Sequence, residues 1–142
     1  HKAHTFMDYI DSSDSKYKIV FEEMLKQQEN GKKLKILDVG CGKGRYLKKM
    51  YYSNPENIYN GIDLSPKVLR YVKNPKISVS TGNILNTGKN SEEYDLVFAA
   101  ESLEHSIFID LAIQEMVRIT KKNGKIVIID KDEEAFDDFK YK

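Results

Sequence analysis

The chain holds one cysteine, Cys41, no block of like charges, no apolar stretch near the roughly 20 residues that span a bilayer, and no internal repeat or low-complexity run. Each deficiency removes a class of protein. A lone thiol excludes an internal disulfide and suits a reducing compartment, so a cytoplasmic protein is expected. No signal-peptide h-region is present, and without a basic block there is no nucleic-acid arm. The 142 residues are 40% hydrophobic and 32% charged with a net charge of +1, the composition of one globular domain able to bury roughly two-thirds of its unfolded surface. The chain opens on His1 rather than methionine, which leads to the expectation of a cut N-terminus or a tag remnant.

The most informative stretch is Ile36-Leu37-Asp38-Val39-Gly40-Cys41-Gly42-Lys43-Gly44-Arg45. The apolar run Leu34 to Val39 suits a buried parallel strand, and three glycines at alternate positions allow a sharp turn and close approach of a ligand to the backbone. Lys43 to Ser53 then reads as a helix. The dinucleotide fingerprint G-x-G-x-x-G is not met, because its third glycine falls on Arg45. Asp38-x-Gly40-x-Gly42-x-Gly44 instead resembles the first motif of the class I methyltransferases that use S-adenosylmethionine. The resemblance implies a cofactor laid over the glycine turn, touching Gly40, Cys41, Gly42 and Gly44, with its amino-acid end near Asp38.

Further elements extend the reading on both sides. The N-terminal residues His1 to Asp11 are irregular or a short helical piece; Ser12 to Ser15 offer N-caps, and Tyr17, Val20 or Phe21, Met24 and Leu25 recur at helical spacing before Asn30-Gly31. Ile58 to Ile62 reads as a second strand ending at Asp63, which stands 23 residues after Gly40, near the distance at which a strand-end carboxylate meets a ribose. A carboxylate accepts from two adjacent hydroxyls better than other side chains do. Capping of the helix that begins at Ser65-Pro66 and runs through Val72 is the alternative role for this acid.

Ile77 to Ser80 alternates as an edge-like third strand, and Asn86 to Glu93 is a polar loop. Glu93 to Ala100 is a fourth, central strand. Ile107 to Lys122 is an amphipathic helix whose Lys121 and Lys122 suit its C-terminal dipole, closed by Asn123-Gly124. Lys125 to Asp130 is a fifth strand. Right-handed crossovers then give an α/β, three-layer αβα Rossmann-like sandwich with a mainly parallel sheet of strand order 3-2-1-4-5. Asp38, Asp63, Asn83 and Ala99 fall at strand carboxyl ends, where open α/β sheets bind ligands.

The resemblance extends over roughly Leu34 to Asp130. Gly61-Ile62-Asp63-Leu64-Ser65 matches the family's second motif, which implies Asp63 and Leu64 at the cofactor's ribose. In Thr81-Gly82-Asn83-Ile84 the family usually carries an acid where Asn83 stands. The asparagine oxygen can still accept from an adenine amino group, so Asn83 and Ile84 are expected at the adenine and Ala99 near the methyl group. The family fold normally adds a helix and a two-stranded hairpin after the fifth strand, whereas Glu133 to Tyr141 can supply at most a short helix. Ile126 to Ile129 is therefore expected to be covered by further native chain, a partner or self-association. The resulting division is a helical cap over about 1–31, a cofactor core over about 34–130 and a truncated tail, 131–142.

Glu101-Ser102-Leu103-Glu104-His105 follows the fourth strand, and on a helical turn Glu101, Glu104 and His105 share a face. Two acids and an imidazole resemble the segment of metal-assisted methyltransferases, including small-RNA 2′-O-methyltransferases, but a Glu-His pair at this place also bounds the acceptor pocket in metal-free members. His105 as base or positioning group, with Glu104 beside it, stands level with a purely structural role for this pair, and no metal is assigned. The expected activity is methyl transfer from S-adenosylmethionine to an oxygen or nitrogen of a small-molecule acceptor, since no basic, aromatic-interleaved surface announces RNA. Alternatives are a metal-assisted RNA 2′-O-methyltransferase, a non-catalytic cofactor-binding domain, and an aminopropyltransferase using the decarboxylated cofactor.

Overall fold

The computed structural model describes residues 14–100, 102–103 and 108–129. Asp14 caps the first helix, α1 (Ser15–Gln27), its Oδ1 accepting from the backbone N–H of Lys16 and Tyr17 at 3.0 Å each. The remaining elements are β1 (Lys35–Val39), α2 (Arg45–Ser53), β2 (Ile58–Asp63), α3 (Pro66–Leu69), β3 (Ile77–Thr81), β4 (Tyr94–Ala100), α4 (Ile109–Ile119) and β5 (Thr120–Ile129). The sheet order is β3-β2-β1-β4-β5, and each neighbouring pair is parallel. This is the expected topology, with β3 on one edge and β5 on the other.

Alternation along the strands divides the core into two layers. Ile36, Tyr59, Ile77, Leu96, Phe98 and Ile129 face α1 and α2, whose Tyr17, Val20, Met24, Leu47 and Met50 are buried against them. Leu37, Val39, Ile62, Val97, Ala99 and Ile128 face the other way onto Ala112, Met116 and Ile119 of α4. Leu25, expected on the apolar side of α1, is 42% exposed, because the buried stripe runs through Tyr17, Val20 and Met24. Tyr17 stands edge-on to Tyr46, which stacks on Phe98, so α1, α2 and β4 meet through three rings.

Two boundaries differ from expectation. The helix after Ser65-Pro66 ends at Leu69 rather than Val72, and residues 70–72 close it with turn-type bonds such as Val72 N–H to the Leu69 carbonyl at 3.0 Å. The helix expected over 107–122 stops at Ile119, and Lys121, Lys122, Asn123 and Gly124 belong to β5. Thr120 donates its hydroxyl to the Met116 carbonyl at 2.6 Å and passes directly into the strand. The register then jumps: Tyr94 pairs with Thr120, but Leu96 pairs with Lys125. A Cβ on Gly124 would lie 2.7 Å from Thr120 Cγ2 and 2.9 Å from the Asp95 carbonyl, so the bulge passes too close for a side chain. Lys121 answers to a carboxylate and not to a helix dipole, its Nζ lying 3.3 Å from Asp95, which Lys32 also approaches at 3.0 Å. Burial pushes the Asp95 carboxyl up, but the Lys35 backbone N–H and the Lys32 and Lys121 ammonium groups outweigh it and hold the acid below its ordinary value.

The polar stretch before β4 is pinned as well. Glu115 accepts from the Thr87 backbone N–H at 2.9 Å, the Thr87 hydroxyl at 2.7 Å and the Arg118 guanidinium at 2.8 Å, while Arg118 also reaches the Lys89 carbonyl at 2.8 Å. The Arg118 bonds, opposed by partial burial and aided by Thr87, hold Glu115 at about 2 against an ordinary 4.5. Stability gained from this depressed carboxyl is present above 4.5 and is lost as pH falls toward 2. Glu115→Gln should therefore melt below the wild type at pH 7, and the gap should narrow through that acid window in thermal scans. A gap independent of pH would assign the loss to packing alone.

Candidate cofactor site

A cavity of about 320 Å³ opens at the carboxyl ends of the central strands, lined by Val39, Gly40, Ile62, Asp63, Leu64, Gly82, Ile84, Ala100 and Ser102. The strand register explains the convergence: Val39 pairs with Ile62 and Asp63 with Thr81, so β1, β2 and β3 end side by side and their following turns share one rim.

Asp63 organises the rim. Its Oδ2 accepts from the Gly42 backbone N–H at 2.8 Å, and its Oδ1 accepts from the Ser65 N–H at 2.9 Å. The same side chain thus clasps the glycine turn, which the sequence did not announce, and orders the chain into α3. Each carboxylate oxygen keeps further acceptor capacity toward the cavity. The other N–H groups of the turn are also engaged: Gly40 and Cys41 donate to the Ile62 carbonyl at 2.8 and 2.9 Å, and Gly44 donates to the Cys41 carbonyl at 2.9 Å. A pyrophosphate cradle needs such groups free. Their internal use agrees with the failure of the dinucleotide fingerprint at Arg45.

Gly40 sits at φ +83°, and a Cβ there would lie 2.5 Å from Ser102 Cβ. Ser102 comes this close because its hydroxyl donates to the Val39 carbonyl at 2.8 Å, tying the segment after β4 to the end of β1. Beneath the turn, Asp38 is 4% exposed. Burial and then the neighbouring Asp63 charge hold its carboxyl well above the ordinary 3.8, with Arg45 acting in the opposite direction. Burial, with help from Asp38 and Asp63, also pushes the Cys41 thiol up, which makes this buried sulfur a packing group at the turn.

Of the residues expected at the cofactor, Gly40, Asp63, Leu64 and Ile84 line the cavity. Asp38, Cys41, Gly42 and Gly44 build the turn beneath and beside it, Gly44 packing toward Val72. Asn83 is exposed and its Oδ1 accepts from the Leu85 N–H at 2.9 Å, shaping its own turn. Ala99 is buried in the layer facing α4, and its neighbour Ala100 is the residue on the cavity wall. Val39, Ile62, Gly82, Ala100 and Ser102 were not expected from the sequence. Strand parity could have exchanged Ala100 for Ala99, whereas nothing local marks Ser102. Glu101, Glu104 and His105 lie outside the described residues, as do His1 to Asp11 and Glu133 to Tyr141. Among the described residues no group of three metal-ligating side chains assembles, and no helix is long and apolar enough to cross a membrane.

A parallel sheet of order 3-2-1-4-5, with a glycine turn after β1 and an acid at the end of β2, defines a Rossmann-like nucleoside-cofactor domain. The family model described as methyltransferase domain matches residues 30–142, and the chain belongs to that family, the class I methyltransferases whose cofactor is S-adenosylmethionine. It is 35% identical over 131 residues to an uncharacterized protein of Methanocaldococcus jannaschii, covering 86% of this chain and 56% of that protein. Similarity to the chloroplastic tocopherol O-methyltransferase of Arabidopsis thaliana is 30% over 153 residues, 91% of this chain and 43% of the relative. The chain thus spans about half the length of these curated relatives. In fold it resembles a Haemonchus contortus phosphoethanolamine N-methyltransferase solved with phosphomonomethylethanolamine and S-adenosylhomocysteine, with a TM-score of 0.63 and 18% identity over 80% of this chain and 31% of that one.

The residues present fit this cofactor. The turn leaves the cavity wall bare at Gly40, Asp63 offers acceptors at the rim, and Leu64 and Ile84 supply apolar surface. Two glycine substitutions separate crowding from backbone strain. Gly40→Ala combines a positive φ with a clash and should cost about 3 kcal/mol. Gly42→Ala, at φ +53° with nothing near its Cβ, should cost about 1 kcal/mol. Denaturant titration of both variants checks the order, and equal losses would show that Ser102 yields freely.

Asp38 gives a second expectation. A carboxyl raised in the folded chain contributes stability at low pH that is lost as pH rises through its folded value. Asp38→Asn removes that loss, so melting curves should show the variant gaining on the wild type as pH rises above 3.8.

Proposed function

We propose that the chain is the cofactor-binding part of an S-adenosylmethionine-dependent methyltransferase that acts on an oxygen or nitrogen of a small-molecule acceptor. The observation that carries the reading is the clasp of Asp63 on the glycine turn at the rim of the strand-end cavity. Bound S-adenosylmethionine supplies a methyl group on a sulfonium whose leaving group is a neutral thioether. No protein acid is needed to protonate such a leaving group, so positioning supplies most of the acceleration.

Asp63 keeps one acceptor direction on each oxygen for ribose hydroxyls, while its bonds to Gly42 and Ser65 fix the carboxylate plane. Leu64 and Ile84, apolar residues of the cavity wall, are the groups proposed to flank an adenine. Val39, Gly40, Ala100 and Ser102 line the rest of the cavity. Ser102 bonds to Val39 there, which ties the β4 side of the cavity to the glycine turn before any ligand arrives. His105 is the proposed base for a hydroxyl or protonated amine acceptor, with Glu104 orienting it. The tocopherol and phosphoethanolamine enzymes act, by their names, on small molecules, and this supports an acceptor of that kind.

Calorimetric titration with S-adenosylmethionine and S-adenosylhomocysteine tests the reading. Saturable binding is expected, weakened about 100-fold or more by Asp63→Ala, which removes two charge-assisted acceptors as well as the clasp. Absence of binding by a folded wild-type chain overturns the cofactor assignment for this chain. Once an acceptor is known, His105→Ala should lower kcat and leave cofactor affinity within about twofold, since a base acts in the transition state alone.

A further inference from the structure

Between Lys43 and Lys76 the chain carries eight lysines and arginines against two carboxylates, Glu56 and Asp63, a net of six positive charges in a chain whose total is +1. Asp63 is occupied by the glycine turn, and α2 and residues 64–76 contain no acid at all. Along the sequence these cations are spaced like a solvated helix face. The fold gathers part of them around aromatic rings.

The helix α2 and the segment after α3 enclose a groove of about 590 Å³ lined by Lys48, Tyr51, Tyr52, Tyr71, Lys73, Asn74 and Pro75. Tyr52 is 75% exposed and Tyr71 is 55% exposed, whereas the other large rings of this layer are packed inward. Tyr51 meets Tyr52 edge-on at 5.6 Å. Lys43 lies over the Tyr71 ring at 4.7 Å, and Lys48 donates to the Tyr71 carbonyl at 3.0 Å, so the groove is tied at one end to the glycine turn. Among the described residues no carboxylate forms an ion pair with Lys48 or Lys73. Open rings interleaved with uncompensated ammonium groups lie on the flank of the sheet, and no residue of this groove lines the strand-end cavity.

We infer that this groove binds a segment of single-stranded nucleic acid, with bases stacking on Tyr52 and Tyr71 and phosphates meeting Lys48 and Lys73. An anionic bilayer could use the ammonium groups but has no flat rings to place on two exposed tyrosines, and the acidic side chains of a peptide bring none. Every nucleotide carries both a ring and a phosphate. Bases inside a duplex have both faces covered by their neighbours, whereas successive bases of a single strand are free to stack on the two rings, which favours a single strand. The inference does not rest on the cofactor reading, because the groove and the cavity share no residue.

The test is fluorescence anisotropy of the whole chain with a 5′-labelled 12-nucleotide mixed-sequence RNA, over a salt series. Saturable binding is expected, with competition by unlabelled single strand and weaker competition by the same RNA annealed to its complement. Lys48→Glu with Lys73→Glu should make the plot of log K against log salt shallower by about 1.4, two phosphate contacts at about 0.7 each. Tyr52→Ala with Tyr71→Ala should weaken binding about fivefold or more while leaving that slope unchanged, the signature of lost stacking. Calorimetry with S-adenosylmethionine on the same variants serves as the fold control and should not change. No binding by wild type, equal competition by polyglutamate or by phosphatidylserine vesicles, or double variants that bind like wild type would each overturn the assignment.

Discussion

One hydrogen bond, from the Gly42 backbone N–H to the Asp63 carboxylate, joins the two halves on which the site depends. It links the turn after β1 to the end of β2 across a parallel pair whose register, Val39 against Ile62, leaves both chain ends at one level. A charged acceptor suits this place because a buried-edge N–H is costly to leave unsatisfied and a carboxylate can hold it without surrendering its remaining lone pairs. Ser65 takes the other oxygen, so the same side chain sets the direction of the chain into α3. The clasp also places a negative charge close to the buried Asp38, and the electrostatics of the turn follow from that pair.

The support beneath this clasp is asymmetric. On the face of α1 and α2 the core is aromatic, with Tyr17, Tyr46, Phe98 and Tyr59 packed through ring contacts and the Tyr59 hydroxyl donating to the Asn54 carbonyl at 2.7 Å. On the α4 face it is mostly aliphatic, with the buried ring of Tyr94 beside Leu37, Val39, Val97, Ala112, Met116 and Ile119. At the opposite end of the sheet Asp95 gathers the Lys35 N–H, Lys32 and Lys121, so the sheet is held by a carboxylate hub at each end of its central strands. The upper hub leaves acceptor capacity facing a cavity. The lower one faces cations that neutralise it, and the difference separates a site from a structural joint.

Much of this was legible beforehand. The runs at 36–39, 58–62 and 94–100 read as strands, the last of them central, and the glycine spacing with Asp63 marked the strand ends at which a cofactor was expected. What failed to read was local and physical. The α4 to β5 passage was misplaced because Asn123-Gly124 has the composition of a helix stop, although the chain uses it as a strand bulge beside Asp95. Ala100 was missed although strand parity could have exchanged it for Ala99, whereas Ser102 owes its place on the cavity wall to a bond to Val39 that leaves no pattern in neighbouring residues.

The sequence alone determined the class of fold, the order of its strands and the motif that assigns the chain to its family, because periodicity and glycine placement act through the backbone and are local. Tertiary structure alone decided which side chains face the cavity, how the Asp63 oxygens are divided between turn and rim, and that lysines and tyrosines from α2 and the segment after α3 meet in one groove. Those facts depend on pairing register and on contacts between residues far apart in the chain, 21 positions for Gly42 with Asp63 and 63 for Ser102 with Val39, and no local rule carries information over that distance.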